Sequence, residues 1–307
     1  MKPLSLGKTL SFFLRPISRL RVTPPPPKAE RAGVVIVLIA KNEARHIAEW
    51  ARFHHRAGVS HFVVYDNGSS DETQAELRAA LPAEALTLVP WAQQRFRTQT
   101  GREIHNQVLA YAHAAVNFGA AYRWMAFIDV DEFLVPVTAN SIPEALEPLS
   151  DHAHISLPWQ MFGRGGNTEP TDGDVLHNYL SRAADPFGLS HGLNFKCIVD
   201  PARLTEIGVH AFGVDGKAEG VNDAGQTAAH KDRKQRSFDS RLRLQLNHYY
   251  TRSDAELQAK IKGGAISDVQ AEKHARRVMR IVDAIEADTV EDRTALDFLD
   301  RIAAKIP

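Results

Sequence analysis

The chain has 307 residues, 37 basic and 37 acidic side chains that cancel, 14 histidines and a single cysteine. That length suits one large α/β domain, or a domain with an appendage, and a hydrophobic fraction of 44% is ordinary for a folded globular protein. Charge neutrality excludes a general nucleic-acid binder, which carries a basic excess. The lone Cys197 excludes an intramolecular disulfide and a thiolate metal site, and favours a reducing compartment.

Residues 1–31 read as a leader. No acid occurs in residues 1–29, which carry Lys2, Lys8, Arg15, Arg19, Arg21 and Lys28, and Leu6, Leu10, Phe13, Leu14 and Ile17 fall near helical spacing. Two readings stand side by side: a basic amphipathic segment lying on an anionic membrane surface, or a disordered leader. Arg15-Pro16 interrupts the apolar patch, which argues against a secretory signal. Pro24 to Pro27 predict a stiff linker, with the folded domain expected from Ala32. The longest apolar run, Val34 to Ala40, is too short to cross a membrane.

That run is rich in β-branched residues and predicts a strand buried on both faces of a parallel sheet. Helix is expected from Glu43 to Ala57, with Ile47, Trp50, Phe53 and His54 on one face and Gly58 as its stop. A strand from His61 to Tyr65 ends at Asp66-Asn67-Gly68. Helix 73–81, strand 85–89 and helix 101–117 follow. Trp124 to Ile128 is another apolar strand, and it ends at Asp129-Val130-Asp131-Glu132. Alternating strands and helices predict an α/β fold, a mostly parallel sheet with helices on both faces. Ligands of such sheets bind beyond the carboxyl ends of the strands. The polar ends Lys41-Asn42-Glu43, Asp66 to Asp71 and Asp129 to Glu132 are therefore expected on one edge.

Beyond residue 150 the alternation weakens. Apolar pieces at 155–159, 195–199 and 242–246, separated by Gly-rich loops at 163–173 and 213–225, predict short mixed or antiparallel strands. From Asp254 the chain turns helical again, with Val269, Val278, Ile281 and Ile285 as a packing face. The expected division is a leader at 1–31, a main domain at 32–253 and a helical extension at 254–307.

Two carboxylates at i and i+2 beyond a strand end can reach one hard cation. Mn²⁺ and Mg²⁺ prefer oxygen ligands shared with phosphate oxygens, so Asp129 and Asp131 are the candidate metal ligands. Without a metal, they would be solvated loop acids. Asp66 can accept from a ribose hydroxyl or form an Asx turn; Lys41 and Asn42 can meet a pyrophosphate or base, or Asn42 can cap the following helix. His248 can complete an oxygen-rich metal shell, with His210 as its rival. Lys196 can neutralise phosphate or sit solvated at a strand edge.

The ordered series Lys41-Asn42-Glu43, Glu49-Trp50, His54, Gly58-Val59, Tyr65-Asp66-Asn67, Ser69 and Asp71 resembles family-two-like glycosyltransferases, and family 92 above all. The resemblance continues through Trp124, Phe127 to Phe133, Trp159, Phe162-Gly163, Lys196, Ile198-Val199, Pro201, His210 and His248-Tyr249, covering residues 34–253. It implies a GT-A fold and inverting transfer from a nucleotide sugar, with Asp129 and Asp131 as the metal motif. His248 is then the histidine that joins the metal, and Lys41, Glu43 and Asp66 are nucleotide-binding positions. Eukaryotic relatives are typically membrane-anchored Golgi enzymes, often using UDP-galactose. The absence here of an apolar anchor and a disulfide framework points instead to a bacterial enzyme on the cytoplasmic face, making a surface polysaccharide or glycolipid.

On that basis the expected donor is a UDP-sugar and the acceptor a saccharide or glycolipid. Inversion needs a base opposite the leaving group; Asp172 and Asp174 are the candidates, with Asp215 behind them. Trp159 and Phe162 are candidate acceptor platforms, or core residues. Two rivals differ in class: a Mg²⁺-dependent phosphohydrolase or phosphotransferase with Asp129 as nucleophile and Asp131 as acid/base, and a non-catalytic carbohydrate-binding protein.

Overall fold

A computed structural model describes residues 16–92, 96–99, 101–189, 193–263 and 268–304. The leader positions from Leu6 to Leu14 and the side chain of Val269 lie outside what it describes. In chain order the strands are β1 (Arg19–Arg21), β2 (Val34–Ala40), β3 (His61–Asp66), β4 (Leu86–Pro90), β5 (Trp124–Phe127), β6 (Glu132–Pro136), β7 (His154–Phe162), β8 (Ser181–Ala183), β9 (Phe195–Val199), β10 (Leu204–Gly208), β11 (Phe212–Val214), β12 (Gly220–Val221), β13 (Thr227–Ala228), β14 (Leu244–Tyr249) and β15 (Thr289–Glu291). The helices are α1 (Ala44–Arg56), α2 (Thr73–Ala80), α3 (Asn106–Phe118), α4 (Ile142–Leu146), α5 (Val175–Asn178), α6 (Asp254–Gly263), α7 (Asp268–Glu286) and α8 (Thr294–Ala303). None among the described residues is long and apolar enough to cross a membrane.

The expected α/β architecture is present. Strands β5-β2-β3-β4 run parallel in that order, because their apolar side chains face helices on both sides. Val34, Ile36 and Leu38 meet Ile47 and Trp50 of α1, while Val35 and Val37 meet Val108 and Tyr111 of α3. The second half adds antiparallel pairings: β9 joins β5 to β7. Strand β7 is long enough to serve two neighbours. Its first part, His154 to Pro158, pairs with β9, and its second, Trp159 to Phe162, pairs in parallel with β14. Strand β14 in turn pairs antiparallel with β6, which follows the acidic loop.

Helix α1 is held in place by three of its own residues, two of them on the strand that follows that loop. Trp50 Nε1 donates to the Glu132 carbonyl at 2.8 Å. His54 is buried and bridges within the core: its Nδ1 lies 2.8 Å from the Trp50 carbonyl, and its Nε2 accepts the Leu134 amide at 3.1 Å. Glu49 accepts the Val175 and Leu176 amides at 2.8 and 3.0 Å, fixing the start of α5. The helix ends where Gly58 takes φ +91°, a conformation that a side chain resists, and where an added Cβ would press on Ser141 and Pro143.

Three boundaries differ from expectation. The folded unit starts before Ala32: β1 pairs with β10, and Arg31 makes a two-point contact with Asp200, whose Oδ2 lies 2.9 Å from the Arg31 Nη2. Helix α3 starts at Asn106 rather than Gly101, because the preceding backbone bonds to the leader through Ile17 N to Glu103 O and His105 N to Ile17 O. Residues 254–263 and 268–304 are built into the domain. Ala295, Leu296 and Phe298 of α8 belong to the core cluster of β2 and α1, and Arg164 ties α6 and α7 to β7 through Asp254 and Glu286.

Burial lowers His54 to a pKa of about 3, so the native state keeps its imidazole neutral. The unfolded chain binds the extra proton below its ordinary value, so His54 costs stability progressively as pH falls from about 6.5 towards 3. In urea unfolding at pH 7 and pH 5, the wild type should lose more stability than His54→Gln; parallel losses would contradict the account.

Candidate active site

Strands β2 and β5 end on the same edge, and the chain turns sharply after β5 through Asp129-Val130-Asp131. The β6–β14 register places His248 opposite Glu132, and Tyr249 N donates to the Asp131 carbonyl at 2.8 Å. His248 is thus delivered from more than a hundred positions downstream to the side of Asp131, with Nε2 at 3.3 Å from Oδ2.

Beneath this loop lies a buried polar group. Glu132 is 0% exposed and Lys196 2%. Lys196 Nζ donates to Asp129 Oδ2 at 2.6 Å and lies 3.5 Å from Glu132 Oε2. Glu132 Oε2 accepts the Asp129 amide at 2.7 Å, and Oε1 accepts Trp159 Nε1 at 2.6 Å. Gln107 Nε2 donates to Asp129 Oδ1 at 2.9 Å. Burial works against the Lys196 ammonium, but Asp129 and Glu132 outweigh it and raise its pKa well above the ordinary lysine value. Burial raises Glu132, Asp129 and Asp131 add to that, and Lys196 opposes them.

Above the loop opens a cleft of about 930 Å³. Its lining includes Lys41, Asn42 and Glu43 after β2, Asp129 and Asp131 after β5, and Tyr250, Arg252 and Lys260 after β14. Burial alone would raise Asp131, but His248, Lys260 and Arg252 hold it well below the usual carboxylate range. Burial pushes Glu43 up to about 7, with Asp131 adding to the shift. Lys260 Nζ sits 3.5 Å from Asp131 Oδ2 and 3.8 Å over the Tyr250 ring. Arg252 Nε is buried with no hydrogen-bond partner among the described residues.

Of the predicted site residues, the structure brings Lys41, Asn42, Glu43, Asp129 and Asp131 into one cleft, with His248 against Asp131. Others stand elsewhere. Asp66 does not line the cleft: it is buried, and its two oxygens accept Ser69 N at 3.1 Å and Gln74 Nε2 at 2.7 Å, the turn geometry. Asn42, at φ +56°, does not cap α1; Asp71 and Thr73 accept the Ala44 and Glu43 amides, while Asn42 Oδ1 accepts Ser70 N. Lys196 serves carboxylates rather than phosphate, because a buried ammonium needs a counter-charge. Phe162 is 1% exposed and lies 4.6 Å from the Tyr249 ring, so it is core and not a platform. Trp159 is half-buried, 4.3 Å from the His248 ring. His210 faces the Phe195 carbonyl and does not reach Asp131 among the described contacts. Asp172 and Asp174 are exposed and outside the lining; their segment touches the cleft where Arg45 donates to the Thr171 carbonyl at 2.9 Å. Asp215 pairs with Arg203 on the surface.

Sequence reasoning gave no role to Gln107, Glu132, Arg252 or Lys260. Glu132 was legible as part of the acidic run, and its buried partners were not. Arg252 follows His248 by four residues, a proximity that marks it only once β14 is known to end at the site.

Glu132→Gln puts an amide NH₂ against a donor, a mismatch of about 1–3 kcal/mol. In urea unfolding Glu132→Gln should be less stable than the wild type by about that much; equal stability would remove Glu132 from the site's architecture.

Comparison with known proteins gives the family. The model of glycosyltransferase family 92 matches residues 37–275. A family 92 protein of Ricinus communis is 26% identical over 205 residues, 64% of this chain and 34% of its own length. A galactan β-1,4-galactosyltransferase of Arabidopsis thaliana is 32% identical over 119 residues, 37% of this chain and 23% of its own. The chain therefore matches 34% and 23% of the length of these two relatives. A crystal structure of a mycobacterial protein overlaps 84% of this chain and 75% of its own at 16% identity and a TM-score of 0.35, too low a likeness to carry an argument. With the match extending over most of the sequence and across the whole cleft, the chain belongs to glycosyltransferase family 92.

Proposed function

We propose that the protein transfers a sugar, with inversion, from a UDP-sugar to a saccharide or glycolipid acceptor, assisted by Mn²⁺ or Mg²⁺. The observation carrying this reading is the cleft that sets Asp131 and His248 against Lys260 and the unpartnered Arg252 Nε. A nucleoside diphosphate needs cationic donors, and a divalent ion needs oxygen and imidazole ligands; this cleft offers both. The galactan galactosyltransferase among the relatives makes UDP-galactose the first donor to test.

The residues suit the ion in a specific way. Asp131 and the neutral His248 face the same point and would hold it, while Asp129 stays engaged with Lys196 and Gln107. When bound, the ion supplies Lewis-acid stabilisation to the departing diphosphate. Arg252 and Lys260 meet the phosphate oxygens, and Lys41 and Asn42 border the nucleoside.

The acceptor hydroxyl must lose its proton as it attacks. Glu43 was expected to contact the nucleotide, but it is the cleft carboxyl whose proton affinity lies near 7, the range a general base needs. We assign deprotonation to Glu43 in place of Asp172 and Asp174. Trp159, close to His248, remains the acceptor-side aromatic of this proposal. With one cysteine, the chain suits a reducing compartment, the basis for proposing the cytoplasmic side as its place of work.

In calorimetry with UDP and Mn²⁺, Asp131→Asn should abolish the metal-dependent part of binding; unchanged binding would sink the metal site. Glu43→Gln should lose transfer while retaining UDP binding, and the double variant Asp172→Asn, Asp174→Asn should stay active. Weakened UDP binding in Glu43→Gln would return Glu43 to a nucleotide contact. Activity of the wild type should rise with pH through about 7, as Glu43 deprotonates.

A further inference from the structure

Helix α7 carries Lys273, Arg276, Arg277 and Arg280 at helical spacings that put them on one side. All four are exposed, and they line a hollow of about 550 Å³. Arg276 pairs with Glu272 at 2.8 Å, but no carboxylate comes within salt-bridge distance of Lys273, Arg277 or Arg280 among the described residues. In a chain with no net charge, that is a local concentration of unspent cations.

Helix α7 packs beside the cleft. Val278 and Val282 of α7 pack with Leu257 of α6, and Tyr250 packs against the same cluster. Arg277 acts electrostatically on the Tyr250 hydroxyl, and the Tyr250 ring lines the cleft beneath Lys260. A path of positive charge therefore runs from Lys260, past Tyr250, along about 10 Å of helix from Lys273 to Arg280.

We propose that this face binds the acceptor, and that the acceptor is an anionic saccharide chain bearing carboxylate or phosphate groups. Guanidinium groups recognise both by two-point hydrogen bonding, and a chain whose end occupies the cleft would lay its charged units along α7. The geometry favours a chain over a bilayer. The four side chains border a hollow, and Met279 is the large apolar side chain exposed on α7 among the described residues. A surface-bound membrane helix needs an apolar face to insert. The proposal rests on the transferase reading, because it names that enzyme's second substrate.

The test compares the full chain with the triple variant Arg276→Gln, Arg277→Gln, Arg280→Gln, in three binding measurements. The probes are tetragalacturonate, the neutral galactotetraose, and vesicles of phosphatidylglycerol and phosphatidylcholine. UDP with Mn²⁺ serves as control for the cleft. The wild type should bind tetragalacturonate, the triple variant should bind it roughly tenfold more weakly or worse, and raising salt from about 50 to about 200 mM should weaken the wild type towards the variant. The neutral tetrasaccharide and UDP should not distinguish the two proteins. No binding of tetragalacturonate, equal binding by both proteins, or charge-dependent binding to vesicles alone would overturn the proposal. Loss of UDP binding in the wild type with tetragalacturonate binding intact would strike the transferase reading and leave the surface standing.

Discussion

The buried Lys196 ammonium is the constraint on which the site depends. It lies under the acidic loop with carboxylates of Asp129 and Glu132 as its counter-charges, and Glu132 in turn holds the Asp129 amide and the Trp159 indole. Removing one member of such a group leaves a buried charge unpaired, a cost of about 3–5 kcal/mol. The arrangement therefore fixes the turn between β5 and β6 in one conformation. Asp131 faces Lys260 across the cleft, and the β6–β14 register brings His248 to it.

Much of the resemblance that identifies the family lies in residues that hold this loop. Trp50 and His54 on α1 bond to the backbone of Glu132 and Leu134, and Glu49 holds the start of α5. Ser69, Asp71 and Thr73 form a second support, whose side chains accept the Asn42, Ala44 and Glu43 amides and fix the bend into α1, while Asp66 holds their own turn through the Ser69 amide. Residues that look like a substrate-binding signature are in large part the frame behind it. The charged groups that line the cleft beside this frame include Lys41, Glu43, Asp131, Arg252 and Lys260, with His248 against Asp131.

The parallel half of the fold was legible because its strands are continuous apolar runs, and their polar ends had to share an edge. The second half was legible only as short strands and loops. What hid it is sequence distance. The pairing of β14 with both β6 and β7 sets His248 beside Asp131, and no local pattern encodes that register. Burial was the other hidden quantity. Lys196, Phe162 and Glu132 sit in a strand or at its end with ordinary alternation, and only the packed structure shows that all three are closed off from substrate. The leader was misjudged for a related reason: β1 is three residues long and is held by β10 across nearly the whole domain.

The central claim is that Asp131 and His248 hold a divalent ion that shares a diphosphate with Arg252 and Lys260. A crystal structure of the protein with UDP and Mn²⁺, phased to show the anomalous signal of manganese, tests it most directly. The account predicts a manganese peak between the Asp131 carboxylate and His248 Nε2, with the diphosphate reaching Arg252 and Lys260. A diphosphate bound away from the cleft, or bound in the cleft with no manganese beside Asp131, would contradict it.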